Sequence, residues 1–349
     1  MLYYLGFYSL QSLLLSLGSI RGAAVLAFIV AAVFSGIRYQ VGYDFDVYLD
    51  MYADIETYRG FVEPGFVLMV EILGRLGIGE RGMVFVFSLL TQAAAFAALR
   101  AFSGRLVGFA YFLYLIVPGL YLNSFSIVRQ ALAIALIGMA VSRLFVDKSR
   151  SSFAVFGACA ASIHVSAVLP LAVAALVAWA TRRAPTGPLR LGWLAGAWIA
   201  SLVAQSVGAH VVLLGPFEDF RFFLYGEAGD ETSPLKVLGI NATFLAVTLV
   251  RGRWQHQPLA RQLFFVWFAG LCMFNLFVAS QPLTRIYYYF AFCSLPLIAY
   301  ATARATSGVR GLERLGWVFF FGATLVLAFV ADAAIDQRPN MLDYAFVPG

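Results

Sequence analysis

The chain has 349 residues, of which 62% are hydrophobic and only 12% charged, and its mean hydropathy is +0.84. Soluble domains run at about half apolar and about a quarter charged, so this balance excludes an ordinary soluble enzyme and points to the membrane. The net charge of +6 comes from 22 Arg and 2 Lys that sort by loop instead of forming one basic patch, which argues against a nucleic-acid partner.

In chain order, the first apolar run covers residues 2–18. It has no basic segment ahead of it and reads as a membrane span, not a cleaved signal. A second span covers 22–37, and Arg38 closes it. Residues 38–81 carry eight acidic groups and read as a long outer loop. Within that loop, 61–78 is apolar but interrupted by Glu63, Glu71 and Arg75, the pattern of an amphipathic helix lying on the outer surface. Spans follow at 82–99, 106–122 and 127–146.

Residues 151–180 are apolar for 30 positions, with His164 near the middle. Basic clusters at 143–150 and 182–190 flank this run. Arg and Lys concentrate in cytoplasmic loops. Both clusters can be inside only if 151–180 goes in and comes back, which predicts a short helical hairpin with His164 at its outer tip. Under this scheme 15 of the 24 Arg and Lys fall inside. The competing scheme, with 61–78 crossing and 151–180 passing once, puts the 143–150 cluster outside. Further spans are expected at 191–214, 235–250, 259–280, 283–303 and 315–335, and a second outer loop with five acidic residues at 215–234. The apolar runs leave no room for a separate soluble domain. The expectation is one all-α polytopic membrane domain over 1–349, with about 11–12 membrane helices.

Charged groups near hydrocarbon are costly and mark sites. Arg38, Arg129, His164 and Arg285 all fall near the outer face in this scheme, although loop charge alone set it. Three arginines at one boundary repel unless they meet anions, and the guanidinium fork matches phosphate, so a diphosphate at the outer leaflet is a natural ligand. Plainer readings stand beside this one. Interfacial arginines snorkel to headgroups, His164 can be a packing histidine, Glu63 before Pro64 can simply start a helix, and Asp44 and Asp46 can solvate a loop. The tyrosines at 287–289 fit an interfacial aromatic belt. Asn241-Ala242-Thr243 matches a glycosylation sequon but sits in an apolar run. Cys159, Cys272 and Cys293 read as buried free thiols. The sequence has no phosphate-cradling glycine loop, metal-ligand cluster or Gly-x-Ser-x-Gly elbow. Neither a metal nor a cofactor is expected.

Five pieces occur in order: Arg38-Tyr39-x-Val41-Gly42-x-Asp44-x-x-x-Tyr48, Glu63-Pro64-Gly65-Phe66, Ile127-x-Arg129-Gln130-x-Leu132-Ala133, His164-x-Ser166-Ala167, and Arg285 near Tyr288. Together they resemble the EpsG-like branch of the Wzy-type polysaccharide polymerases, over about 40–300 of the chain. The resemblance implies a loosely GT-C-like membrane fold and a lipid-dependent glycosyltransferase. Such an enzyme joins oligosaccharide repeat units carried on undecaprenyl diphosphate, at the periplasmic face of the bacterial inner membrane, beside membrane lipid and a chain-length regulator. It further implies Arg38, Arg129 and Arg285 on the diphosphate, Asp44 or Glu63 as the base with His164 as rival, and Tyr48, Gln130 and Tyr288 on the sugars. An O-antigen ligase or another lipid-linked glycosyltransferase shares this chemistry. A flippase or transporter is the alternative outside it.

Overall fold

A computed structural model describes residues 2–16, 22–117, 119–183, 191–204, 233–278, 281–305 and 345–346. The expected span at 315–335 and residues 215–232 of the second outer loop lie outside the described residues. The chain is an all-α polytopic membrane protein. Among the described residues, four helical stretches are long and apolar enough to cross a membrane: Glu80–Ile116, Val128–Phe145, Val165–Arg182 and Pro258–Leu276. Shorter apolar helices cover Ala23–Gly36, Gly192–Val203 and Pro234–Leu249. Two compact units emerge, one holding residues up to Leu171 together with the strand at 345–346, the other running from Ala172 to Ala305.

In the first unit, α1 (Leu2–Ser16) and α2 (Ala23–Gly36) are tied by the Gln11 amide, which donates to the Ala27 carbonyl at 3.0 Å. The expected outer loop 38–81 is not irregular. It folds into α3 (Phe45–Ala53), α4 (Ile55–Tyr58) and α5 (Pro64–Arg75). The reason lies in its pattern: Phe45, Tyr48, Val62, Phe66, Val67, Val70 and Leu73 recur at helical spacing and are buried as one cluster with Phe87 and Leu132. Pro64 at the first helical position starts α5, and Gly77, at φ +70, ends it. With 12 residues α5 is too short to span a bilayer, which needs about 20.

After α6 (Glu80–Ser103), Gly104 at φ +52 breaks the helix and α7 (Val107–Ile116) folds back along it. Gln92 bridges the two, accepting from Tyr111 Oη at 2.9 Å and donating to Tyr114 Oη at 3.2 Å. The core sits around α8 (Val128–Phe145), 15 of whose 18 residues are buried, so this helix is enclosed by protein and not by lipid. Its run of Ala and Gly permits close approach of the flanking α6 and α9 (Arg150–Ile163). The apolar run expected as a hairpin does break at His164. Between α9 and α10 (Val168–Arg183) lies a single 3-10 turn, Val165–Ala167. The two arms stay close about two turns from the tip, where a Cβ on Gly157 would lie 2.9 Å from a Leu171 methyl.

The second unit contains α11 (Leu191–Val203), α12 (Pro234–Leu249), α13 (Pro258–Leu276), the short α14 (Gln281–Thr284) and α15 (Tyr287–Ala305). The expected span 283–303 is therefore split, because the chain interrupts its helix at Arg285 and Ile286. A Cβ on Gly270 would collide with the Phe290 side chain, so only glycine lets α13 and α15 meet there. A buried polar ladder joins three helices. Asn241 and Asn275 exchange side-chain bonds at 2.9 and 3.0 Å, Trp198 Nε1 donates to Asn241 at 2.7 Å, and Asn275 donates to Ser201 at 3.2 Å. The sequon asparagine is thus a helix-packing residue, of the kind that glues helices inside membranes. The cysteines are free, but only Cys293 is buried; Cys272 is half-buried and Cys159 is exposed.

Candidate functional site

Three helix ends converge in the first unit. Glu63 is the residue before α5, in extended conformation at φ −70 and ψ 146. Arg129 is the second residue of α8. His164 follows the last turn of α9, extended at φ −154 and ψ 112. Helix ends carry unsatisfied backbone groups, so polar side chains gather there at little extra cost.

Glu63 is the hub. Its Oε2 accepts from Arg129 Nη1 at 2.5 Å. Its Oε1 accepts the Val165 backbone N–H at 3.1 Å and lies 3.2 Å from His164 Nδ1. The imidazole is tilted, so its Nδ1 contact is close but not a well-aligned bond. Burial alone would raise the Glu63 carboxyl. The His164 contact, the Arg129 charge and the Val165 N–H outweigh it and hold the carboxyl down at about 2. Glu63 is therefore a fixed anion at neutral pH.

The sequence builds this meeting in three ways. Pro64 starts α5 and orients Glu63 away from its own helix, whose N-terminus the carboxylate does not cap. Gly65 lets α5 touch the end of α9, since a Cβ there would stand 2.6 Å from the Ser162 carbonyl oxygen. Phe66, fully buried, forms a floor: the Arg129 guanidinium lies 5.3 Å from its ring centre and the Tyr48 ring meets it edge-on at 6.2 Å. The Tyr48 hydroxyl receives the Arg129 backbone N–H at 3.5 Å. Burial raises the Tyr48 phenol, and the Asp44 charge adds to that against the opposing pull of Arg129, so it stays neutral. Arg129, Glu63 and His164 keep 19%, 17% and 21% of their side chains exposed, so the cluster is open to a ligand. An open recess of about 240 Å³ adjoins it at Pro64, with Arg59, Val62, Val67, Leu68 and Glu71 as its other walls.

The remaining expected residues sit elsewhere. Arg38 is 2% exposed. It donates to the carbonyls of Ser35, Val41 and Phe125 and to Ser88 Oγ, and its guanidinium lies over the Phe125 ring at 4.9 Å. Gly42, at φ +105, completes the join, because a Cβ there would come within 2.6 Å of the Phe125 carbonyl carbon. Tyr43 N–H adds a bond to Ser126 Oγ at 3.1 Å. Arg38 thus ties the chain after α2 to the segment that leads into Arg129. Asp44 precedes α3, half-buried, four residues before Tyr48. Gln130 is buried beside Arg129 in the first turn of α8.

Arg285 and Tyr288 belong to the second unit, Arg285 at the break between α14 and α15. The Tyr288 hydroxyl accepts from Lys236 Nζ at 3.1 Å, and the ammonium stands 5.4 Å from its ring centre. Lys236 is thereby tied to an expected site residue, a pairing of helices that the sequence did not signal.

Residues 23–346 match the EpsG family. The chain belongs to that family. No curated protein matches it. No solved structure matches it. Membership points to a polysaccharide polymerase of glycosyltransferase type, acting on a lipid-linked oligosaccharide.

Proposed function

We propose that the protein joins oligosaccharide repeat units carried on undecaprenyl diphosphate into a surface polysaccharide, at the periplasmic face of the inner membrane. The observation that carries this reading is the Glu63–Arg129–His164 cluster, an anion, a cation and an imidazole held open beside a helix too short to cross. Glycosyl transfer from a diphosphate needs two things from the protein. One is cationic stabilisation of the departing diphosphate. The other is a base within reach of the attacking hydroxyl. The Arg129 guanidinium supplies the first. Asp44, Glu63 and His164 are the groups available for the second. Arg38, with its donors on carbonyls, acts by fixing the segment ahead of Arg129. Tyr48, Gln130 and Tyr288 serve the sugars in this reading. No metal is needed, because the guanidinium takes the role of a divalent cation. The partners are the lipid-linked oligosaccharide, the surrounding lipid and a chain-length regulator.

The test is complementation of a deletion strain with wild type and with Arg129→Ala at matched protein levels, read as the polysaccharide ladder on a gel. A deletion that leaves single capped units, restored to a ladder by wild type but not by Arg129→Ala, is the expected result. Loss of all units from the surface would move the assignment to a flippase. A full ladder from Arg129→Ala would remove the cluster from the chemistry.

A further inference from the structure

Three groups compete for the role of base, and their surroundings differ. We infer that His164 takes the proton from the acceptor hydroxyl and that Glu63 is its positioning residue, clamped in turn by Arg129. The inference rests on the glycosyl-transfer reading above and names which residue moves the proton.

Both Glu63 oxygens are already engaged. Oε2 faces Arg129 at 2.5 Å, and Oε1 faces the Val165 N–H at 3.1 Å and His164 at 3.2 Å. Donors on both oxygens stabilise this carboxylate as the anion, so its chemistry as a base is poor. Its geometry as an orienter is good: a carboxylate against imidazole Nδ1 selects the tautomer whose other nitrogen carries the lone pair. His164 Nδ1 is wholly buried against Glu63, so the exposed fifth of the side chain lies on the remaining ring atoms, with Nε2 among them. The backbone assists. At φ −154 and ψ 112, His164 stands in the break between α9 and the 3-10 turn and not along a helix flank. The groups that face the imidazole from the packed elements are Glu63 ahead of α5 and, through Glu63, Arg129 of α8. The tilt of the Nδ1 contact leaves room for it to tighten when the ring becomes charged.

The step balances as follows. The acceptor oxygen forms a bond to the anomeric carbon of the donor unit as its proton passes to His164 Nε2. The carbon–oxygen bond to the diphosphate breaks, and the electron pair leaves with the diphosphate. The imidazolium formed is stabilised by the Glu63 carboxylate and afterwards releases its proton to water. The base and the departing group then lie on opposite faces of the sugar carbon, and one residue suffices.

The experiment uses membranes bearing the full chain and, as substrate, the host's own lipid-linked repeat units extracted from the deletion strain. Turnover and half-saturation are measured for wild type, His164→Ala, His164→Gln, Glu63→Gln and Asp44→Asn, with and without added imidazole. The expected result is that both His164 variants lose turnover by roughly a hundredfold or more, and that imidazole restores part of it to His164→Ala alone. Glu63→Gln loses turnover by roughly ten- to a hundredfold at nearly unchanged half-saturation, with no response to imidazole. A merely structural histidine would not be rescued by a diffusible base. The inference is overturned if His164→Gln keeps turnover while Glu63→Gln or Asp44→Asn abolishes it, a result that leaves the polymerase reading intact. Failure of wild-type membranes to lengthen the lipid-linked units at all would overturn that reading itself, and the base assignment with it.

Discussion

The join around Arg38 and the cluster around Glu63 lie in the same unit and use the same side chain in opposite ways. Arg38 is 2% exposed and meets neutral acceptors, the carbonyls of Ser35, Val41 and Phe125. Arg129 keeps 19% of its side chain exposed and meets a carboxylate, which in turn holds an imidazole. A guanidinium enclosed by carbonyls has a fixed geometry and no entrance, so its contribution is to architecture. A guanidinium beside an acid and a histidine, at an opening, has charge that a ligand can reach. What separates the two is the partner and the exposure, not the residue type.

The sharpest way to break this comparison is to remove each guanidinium in turn. Arg38→Met strands the Val41 and Phe125 carbonyls in a dry interior and should cost about 3 to 5 kcal/mol. The expected outcome is little folded protein by size-exclusion in detergent and a steep fall in Tm for what remains. Arg129→Met leaves Glu63 able to rehydrate through the opening and should cost roughly 1 to 2 kcal/mol, with folded protein recovered but turnover lost. Equal Tm values for the two variants would end the distinction between the two arginines.

Much of the fold is written in the chain, and the reasons differ for the parts that are not. Hydrophobic length gave α1, α2, α6, α8, α12 and α13 at nearly the expected positions, because a bilayer imposes one simple rule on composition. Loop charge placed a break at His164 within an uninterrupted apolar run, where hydropathy by itself predicts a single helix. Glu63-Pro64 was readable as a helix start. The role of Arg38 was not readable. Its acceptors are backbone carbonyls, one of them 87 residues away, and a carbonyl has no letter in a sequence. The same holds for Gly65, whose need for a missing Cβ arises only where α5 meets Ser162. The pairing of Asn241 with Asn275 and of Lys236 with Tyr288 likewise depends on which helices neighbour one another.

The Glu63 clamp can be probed by pH. Its carboxyl lies lower in the folded chain, at about 2, than the ordinary 4.5 it regains on unfolding. A depressed carboxyl contributes stability that is fully present above the unfolded value and is lost as pH falls through the folded one. The loss therefore runs from about pH 4.5 down to about 2, and its ceiling is roughly 3 kcal/mol. Tm should drop more steeply over that window for wild type than for Glu63→Gln. Parallel curves would mean that the carboxylate is not held by its neighbours.

A smaller effect tests the seam that brings Glu63 to His164. In Gly65→Ala the new methyl meets the Ser162 carbonyl, so α5 must shift from the end of α9, at a cost of about 2 kcal/mol. Turnover should fall further than that loss of stability explains, because the shift opens the 3.2 Å contact between Glu63 and His164. Wild-type turnover in a destabilised Gly65→Ala protein would show that this contact is not used.

The mildest substitution belongs to the second unit, where a cation has a third kind of partner. Lys236 meets a phenol instead of a carbonyl or a carboxylate, bonded to Tyr288 at 3.1 Å. It lies in the first turn of α12, where the helix dipole opposes a positive charge. A lysine kept against that dipole and tethered by one neutral bond adds little to folding, so Lys236→Met should change stability by no more than about 1 kcal/mol. Its charge remains available to an anion. With lipid-linked repeat units as substrate, a several-fold rise in half-saturation at near wild-type turnover is the expected outcome, the mark of a cation that holds substrate without moving a proton. Tyr288→Phe keeps the ammonium and loses only its tether, so it should shift half-saturation in the same direction by less. A turnover loss in Lys236→Met as deep as that of Arg129→Met would place the second unit's cation in the chemistry itself, and the contrast between binding charge and reacting charge would have to be redrawn around it.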